Sequence, residues 1–186
     1  MTLPYIIIVL LVLFLLWLFF TYNGLIASRN QTEEALSDID VQLKRRYDLI
    51  PNLIESVKGY IKQEKDVLEE VTRARSDAIA AGGKGLPEQQ KAENVLTGAL
   101  RSVFAVAENY PDLKSSVNFQ QLSTELTDTE NKLEAARRFY NANVRDFNTK
   151  VEVLPTSIFA KMLGFARKEL FVLDEAAAKQ PVKVQF

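Results

Sequence analysis

From residue 3 to residue 20 the chain carries no charge and is almost entirely Leu, Ile, Val, Phe and Trp. A helix needs about 20 apolar residues, rising 1.5 Å each, to cross a ~30 Å hydrocarbon core. Extending the run through Thr21 and Tyr22 to Leu25 and Ile26 supplies that length, so residues 1–27 are predicted to be a transmembrane anchor. Its lipid-facing candidates are Leu3, Ile8, Leu11, Phe14, Trp17 and Phe20, with Tyr5, Trp17 and Tyr22 as interfacial aromatics. A cleaved signal peptide fits less well: no Lys or Arg precedes the run, the run is too long, and Ile26-Ala27-Ser28 is a poor cleavage site.

Beyond the anchor the pattern changes to one apolar residue every three or four. Leu36, Ile39, Leu43, Tyr47, Ile50, Leu53, Val57, Tyr60, Val67/Leu68, Val71 and Ala78 form one stripe, which predicts a helix over residues 28–81. Pro51 removes one hydrogen bond and disfavours α geometry at Ile50, so a kink or short break is expected there. Gly82-Gly83-Lys84-Gly85 followed by Pro87 reads as a helix end and a helix start. It lacks the Gly-Lys-Ser/Thr ending of a phosphate loop. A second helix is expected over 87–109, with Val95, Leu100, Val103, Phe104 and Val106 buried, before Tyr110-Pro111-Asp112 turns the chain.

Asn118 and Gln121 read as a helix cap and its partner, opening the clearest helix, over 119–152. Its stripe is Phe119, Leu122, Leu126, Thr129, Leu133, Ala136, Tyr140, Val144, Phe147 and Val151, close to a seven-residue repeat. Leu154-Pro155 stops it. A last helix is expected over 157–177, with Gly164 a weak point, and residues 179–186 as an extended tail. The fold class is therefore all-α: an anchor, then residues 28–178 as an elongated antiparallel bundle of long, coiled-coil-like helices.

Composition narrows the chemistry. The chain has no histidine and no cysteine, which removes the commonest general base, thiolate chemistry and the usual transition-metal ligands. No cofactor is expected, and no enzyme. Lys+Arg 23 against Asp+Glu 24 gives no reason to expect a nucleic-acid partner. The acidic pairs (Glu33-Glu34, Asp38/Asp40, Glu69-Glu70, Asp128/Glu130) lie on polar helix faces beside no nucleophile or ligand set, and read as solvated or ion-paired. Few charges bear on orientation: Arg29 and Lys44-Arg45-Arg46 follow the anchor and nothing basic precedes it. The positive-inside tendency favours the helical domain on the cytoplasmic side of a single-pass anchor.

Two groups of polar residues stand out. Lys44, Arg45, Arg46, Asp48 and Asn52 form a dense cluster. It is either a patch for anionic headgroups or an acidic partner, or a set paired with Asp48, Glu55 or Glu130; three basic residues fall short of a typical lipid-binding cluster. Glu125, Glu130, Arg137, Tyr140, Asn141 and Asn148 lie on or near the apolar stripe of the long helix. Polar groups there fix register when paired, or else line a groove for a ligand or peptide.

The residues also resemble those of the LemA family of bacterial membrane proteins. The resemblance is carried by Tyr22-Asn23-Gly24-Leu25, by the run from Asp38 to Leu53 through Lys44-Arg45-Arg46-Tyr47-Asp48-Leu49-Ile50-Pro51-Asn52, and by Ala107-Glu108-Asn109-Tyr110-Pro111-Asp112-Leu113-Lys114. Ala136-Arg137-Arg138-Phe139-Tyr140-Asn141, Phe147-Asn148, Leu154-Pro155 and Gly164-Phe165 continue it. One departure is Gln63 before Glu64, where the family often has His-Glu, so a metal site built on that histidine is not available. The resemblance implies one anchor, an antiparallel helical domain and an envelope setting, in some members linked to membrane-organelle biogenesis or to membrane proteases. It implies no reaction. The expected function is a self-associating, non-enzymatic scaffold, or alternatively an adaptor that regulates another membrane protein such as an envelope protease or transport component. The expected partners are the lipid bilayer, further copies of the chain and, in the alternative, that other membrane protein.

Overall fold

The computed structural model describes residues 2–61 and 64–172, and every regular element among them is a helix. In order these are α1 (Thr2–Lys58), α2 (Lys65–Ala81), α3 (Leu86–Ala107), α4 (Pro111–Lys114), α5 (Val117–Glu152) and α6 (Thr156–Met162). The first part of α1 is apolar all round: its most apolar 18-residue window has a mean hydropathy of 3.0 and none of it is buried by the protein. A helix with no polar face and no buried residue is suited to lipid. From Leu25 onward the exposure narrows to a seam. Leu25, Ser28, Thr32, Ala35, Ile39, Leu43, Arg46, Ile50, Leu53 and Val57 are buried, at steps of three and four.

The buried positions correct the expected stripe at three places. Ala35, not Leu36, Arg46, not Tyr47, and Ile61, not Tyr60, are the buried residues. The expected break at Pro51 is also absent, since α1 stays helical through it to Lys58. Pro51 is exposed, and it cannot donate to the carbonyl of Tyr47 one turn earlier. Arg75 Nε of α2 donates to that carbonyl at 2.7 Å, so the acceptor left by the proline is used from a neighbouring helix. The chain breaks later, between α1 and α2, where Tyr60 and Ile61 both donate to the Val57 carbonyl. A single helix over 28–81 is therefore two helices.

The described residues group into two compact units, with α1 and α5 contributing to both. One contains residues 41–134, that is the C-terminal part of α1, α2, α3, α4 and the N-terminal part of α5. Its core joins Ile50, Leu53 and Val57 of α1 to Val71 and Ala78 of α2, Leu96, Leu100 and Val103 of α3, Leu113 of α4, and Phe119 and Leu126 of α5. Gly85 enters α3 at φ 107, a left-handed conformation open to glycine and strained for other residues. The frame of α3 differs from expectation. Leu96 and Ala99 are buried whereas Val95 is 54% exposed, and Phe104 and Val106 are partly covered. α5 begins at Val117, so Asn118 lies inside its first turn, and the Gln121 amide reaches forward to Glu125 at 3.0 Å instead of back to a cap.

The other unit contains residues 1–40 and 135–170, with Leu25, Phe147, Val151, Ala160 and Phe165 as its core. The helix expected over 157–177 ends at Met162, because Gly164 turns the chain at φ 77 and residues 165–172 leave helical geometry. Side chains of α5 satisfy that strand of backbone. Asn148 Nδ2 donates to the Lys168 carbonyl at 2.9 Å, Lys168 N–H donates to Asn148 Oδ1 at 2.9 Å, and Tyr140 Oη donates to the Glu169 carbonyl at 3.0 Å. Residues 173–177 and the expected 179–186 tail lie outside the described residues.

The α3 frame gives a direct test by chemical denaturation. Leu96→Ala should cost about 2–5 kcal/mol, as for a buried leucine, and Val95→Ala no more than about 0.5 kcal/mol, as for a surface change.

Candidate functional site

The interior polar cluster of the 41–134 unit forms around Arg46. Its place in the α1 seam buries the guanidinium completely, at 0% exposure. Nη1 donates to Glu93 Oε2 at 3.0 Å and Nη2 donates to Thr97 Oγ1 at 2.8 Å, both from α3. Nε lies 2.8 Å from Glu130 Oε1 of α5. The angle there is poor for a hydrogen bond, so the contact is one of charge to charge. The Glu93 side chain is likewise fully buried, and its other oxygen accepts the Tyr47 hydroxyl proton. Thr97 Oγ1 donates to the Glu93 carbonyl at 2.9 Å while accepting from Arg46. Glu130 is 37% exposed, so water shares its charge.

Burying an ion pair costs several kcal/mol per ion in lost hydration, and only close, well-bonded partners repay that cost. The planar fork of arginine reaches two acceptors on one helix and a carboxylate on another, which the point charge of lysine would not do. Chemically the cluster is a tie between α1, α3 and α5. It joins the fully buried Glu93 to donors on both oxygens. Among the described residues no group of three or more His, Cys, Asp or Glu side chains is arranged to hold a metal ion.

The expected site residues do not converge. Arg45 faces outward with its Nη2 3.8 Å from Asp128 Oδ2, an oxygen that also sits 2.8 Å from Lys132 Nζ. The hydrogen bond from Lys132, with help from its charge and that of Arg45, holds the Asp128 carboxyl below its ordinary range. Lys44, Asp48 and Asn52 are exposed and, with Arg45, line an open groove of about 520 Å³ on the outer face of α1. Of the six residues expected on the long helix, Glu130 meets Arg46, and Glu125 accepts from Gln121. Arg137, Tyr140, Asn141 and Asn148 belong to the other unit, where Tyr140 and Asn148 hold residues 168 and 169. Lys168 Nζ is further fixed by Thr32 Oγ1 at 2.7 Å and Glu33 Oε1 at 3.2 Å. Of the anchor residues, Leu3, Ile8, Leu11 and Phe20 are exposed, and Phe14 stacks on Trp17.

Glu93, Thr97 and the buried Gln89 escaped the reading of the sequence. Their signal was spacing: Gln89, Glu93, Leu96, Leu100, Val103 and Ala107 step by four and three, with polar residues occupying the first two seam positions.

A comparison with protein families matches the LemA family over residues 35–186. The chain belongs to the LemA family. Among curated proteins it is 31% identical to Protein LemA of Metamycoplasma hominis, an alignment covering 82% of this chain and 69% of that one. It is 23% identical to Magnetosome protein MamQ of Magnetospirillum gryphiswaldense, over 87% of this chain and 68% of the relative. Magnetosome protein MamQ 2 of Paramagnetospirillum magneticum is 24% identical, over 92% and 71%. Family membership and the exposed apolar helix together make this LemA-family chain a membrane-associated envelope protein.

Tyr140 supplies a pH test of the α5 clamp. Burial, with a smaller contribution from the Glu169 carboxylate, raises its phenol above the ordinary value. The unfolded chain then releases this proton first as pH rises, so the stabilisation is complete below pH about 10 and declines above it. Denaturation midpoints compared from pH 8 to 11 should show Tyr140→Phe losing less stability than the parent across that window.

Proposed function

We propose that this LemA-family protein is a non-enzymatic scaffold of the bacterial cell envelope that self-associates through its helical part. In this reading the apolar start of α1 is a single-pass anchor in the cytoplasmic membrane. Arg29 and Lys44-Arg45-Arg46 follow that anchor, which favours a cytoplasmic helical domain.

The observation that carries the reading is the use made of interior polar groups. Arg46, Glu93, Thr97 and Tyr47 bond to one another, and Asn148 and Tyr140 bond to the backbone of residues 168 and 169. Such groups fix which helix faces meet and at what register. The Glu93 carboxylate is buried and bonded on both oxygens within the protein instead of standing open to a substrate. Self-association draws support from apolar side chains left exposed on the long helices outside the anchor, including Val41 and Phe139. Tethering to a membrane raises the local concentration of such surfaces. The printed names of the relatives carry no reaction, which agrees with a structural role.

The test is the mass of the full-length protein in nanodiscs. A uniform homo-oligomer, weakened by Phe139→Glu, is the expected outcome. A monomer would contradict self-association, and a stoichiometric complex with a different membrane protein would favour the adaptor role instead.

A further inference from the structure

The corner between α5 and α6 presents an unusual surface. In residues 153–163 Lys161 is the sole charge. Val153, Leu154, Ile158, Met162 and Leu163 all point outward, with Leu154 77% and Met162 78% exposed, while Ala160 faces the core. Contiguous apolar patches of this kind are rare in water and mark a surface covered by something else.

The position of the corner says what covers it. Phe159 packs edge-on against Phe14 and Trp17, with ring centroids 6.0 and 5.4 Å away. Both partners belong to the apolar stretch of α1 that is otherwise uncovered. Further along α1, Tyr22 meets Phe165 at 6.3 Å and the Arg29 guanidinium lies 5.9 Å from the centre of the same ring. Arg29 stands ~18 Å beyond Trp17 along the helix axis at 1.5 Å per residue. If Arg29 marks the headgroup level, Phe159 and its neighbours sit at acyl-chain depth.

The backbone of the corner suits that depth, because lipid offers no hydrogen bonds. Ser157 N–H donates to the Val153 carbonyl at 2.8 Å, Leu163 N–H to Phe159 at 2.9 Å, Gly164 N–H to Lys161 at 3.2 Å and Phe165 N–H to Ala160 at 2.9 Å. Lys161 has a stem long enough to carry its ammonium towards the phosphates.

We propose that residues 153–163 form a second membrane contact, a wedge whose outward side chains enter one leaflet beside α1 and are covered by lipid acyl chains. It does not span. It gives the 1–40 and 135–170 unit two points of attachment, which sets that unit's rotation about the anchor as well as its depth. The inference rests on the anchor reading of α1, so its test includes a label in the anchor.

The chain has no cysteine, so single labelling sites can be introduced without other change. Full-length Leu154→Cys, Ile158→Cys and Met162→Cys variants would be spin-labelled in phosphatidylcholine–phosphatidylglycerol vesicles, with Leu10→Cys and Lys91→Cys as references. Collision with oxygen, which partitions into lipid, is compared with collision with a water-soluble nickel chelate. The three corner labels should resemble Leu10→Cys, with an oxygen-to-nickel ratio several-fold above that of Lys91→Cys. Corner labels matching Lys91→Cys while Leu10→Cys reads lipid would overturn the wedge and leave the anchor standing. A Leu10→Cys label in water would overturn both. All five positions are exposed, and circular dichroism verifies that each variant keeps its helices.

Discussion

A charge buried among helices is tolerated only where partners replace the water it gave up, and that requirement organises the 41–134 unit around Arg46. The guanidinium fixes α1 against α3 through Glu93 and Thr97, and against α5 through Glu130. The next residue, Tyr47, adds its hydroxyl to Glu93, and its carbonyl receives Arg75 from α2. Four helices are thus tied within one turn of α1. An apolar seam alone tolerates sliding by a turn; a fork-shaped cation with two fixed carboxylates does not.

The other unit obeys the same rule through an amide and a phenol that bond to backbone. Once Gly164 ends helical geometry, the following backbone has no ladder of its own. Asn148 supplies a donor and an acceptor to Lys168, and Tyr140 a donor to Glu169. Lys168 in turn reaches Thr32 and Glu33 on α1. Buried polar residues in both units therefore join elements that apolar contact leaves ambiguous. The proposed role as a scaffold and the proposed lipid wedge both follow from asking which surfaces remain once those internal bonds are made.

Much of this was legible in the pattern of the chain. The α5 stripe from Phe119 to Val151 appears in the structure nearly residue for residue, because a long helix with a near-heptad repeat has a single frame that buries its leucines. The apolar start of α1 was equally plain. The frame of the α3 seam is hidden in the sequence because Val95, Phe104 and Val106 look better buried than Glu93, and only the matching Arg46 reverses that ranking. Pro51 reads as a break because it lacks a donor, and the Arg75 that serves the Tyr47 carbonyl in its place lies 28 residues beyond Tyr47, out of reach of any local pattern. The early end of α6 is hidden in the sequence because the bonds that replace its helix come from Asn148 and Tyr140, and no local pattern encodes them. Of the candidate polar residues, those on the α5 seam could be found by periodicity, while their partners came only with the fold.

The claim on which the account rests is that Arg46 and Glu93 act as one structural tie. A double-mutant cycle with Arg46→Met and Glu93→Leu, read by denaturant unfolding of the full-length protein in mild detergent, tests it most directly. Arg46→Met leaves the Glu93 carboxylate buried without a cation and should cost about 3–5 kcal/mol; Glu93→Leu leaves Arg46 with Glu130 as its one carboxylate and should cost somewhat less, while the double change should cost far less than the sum. Additive losses, with no coupling between the two positions, would contradict the account.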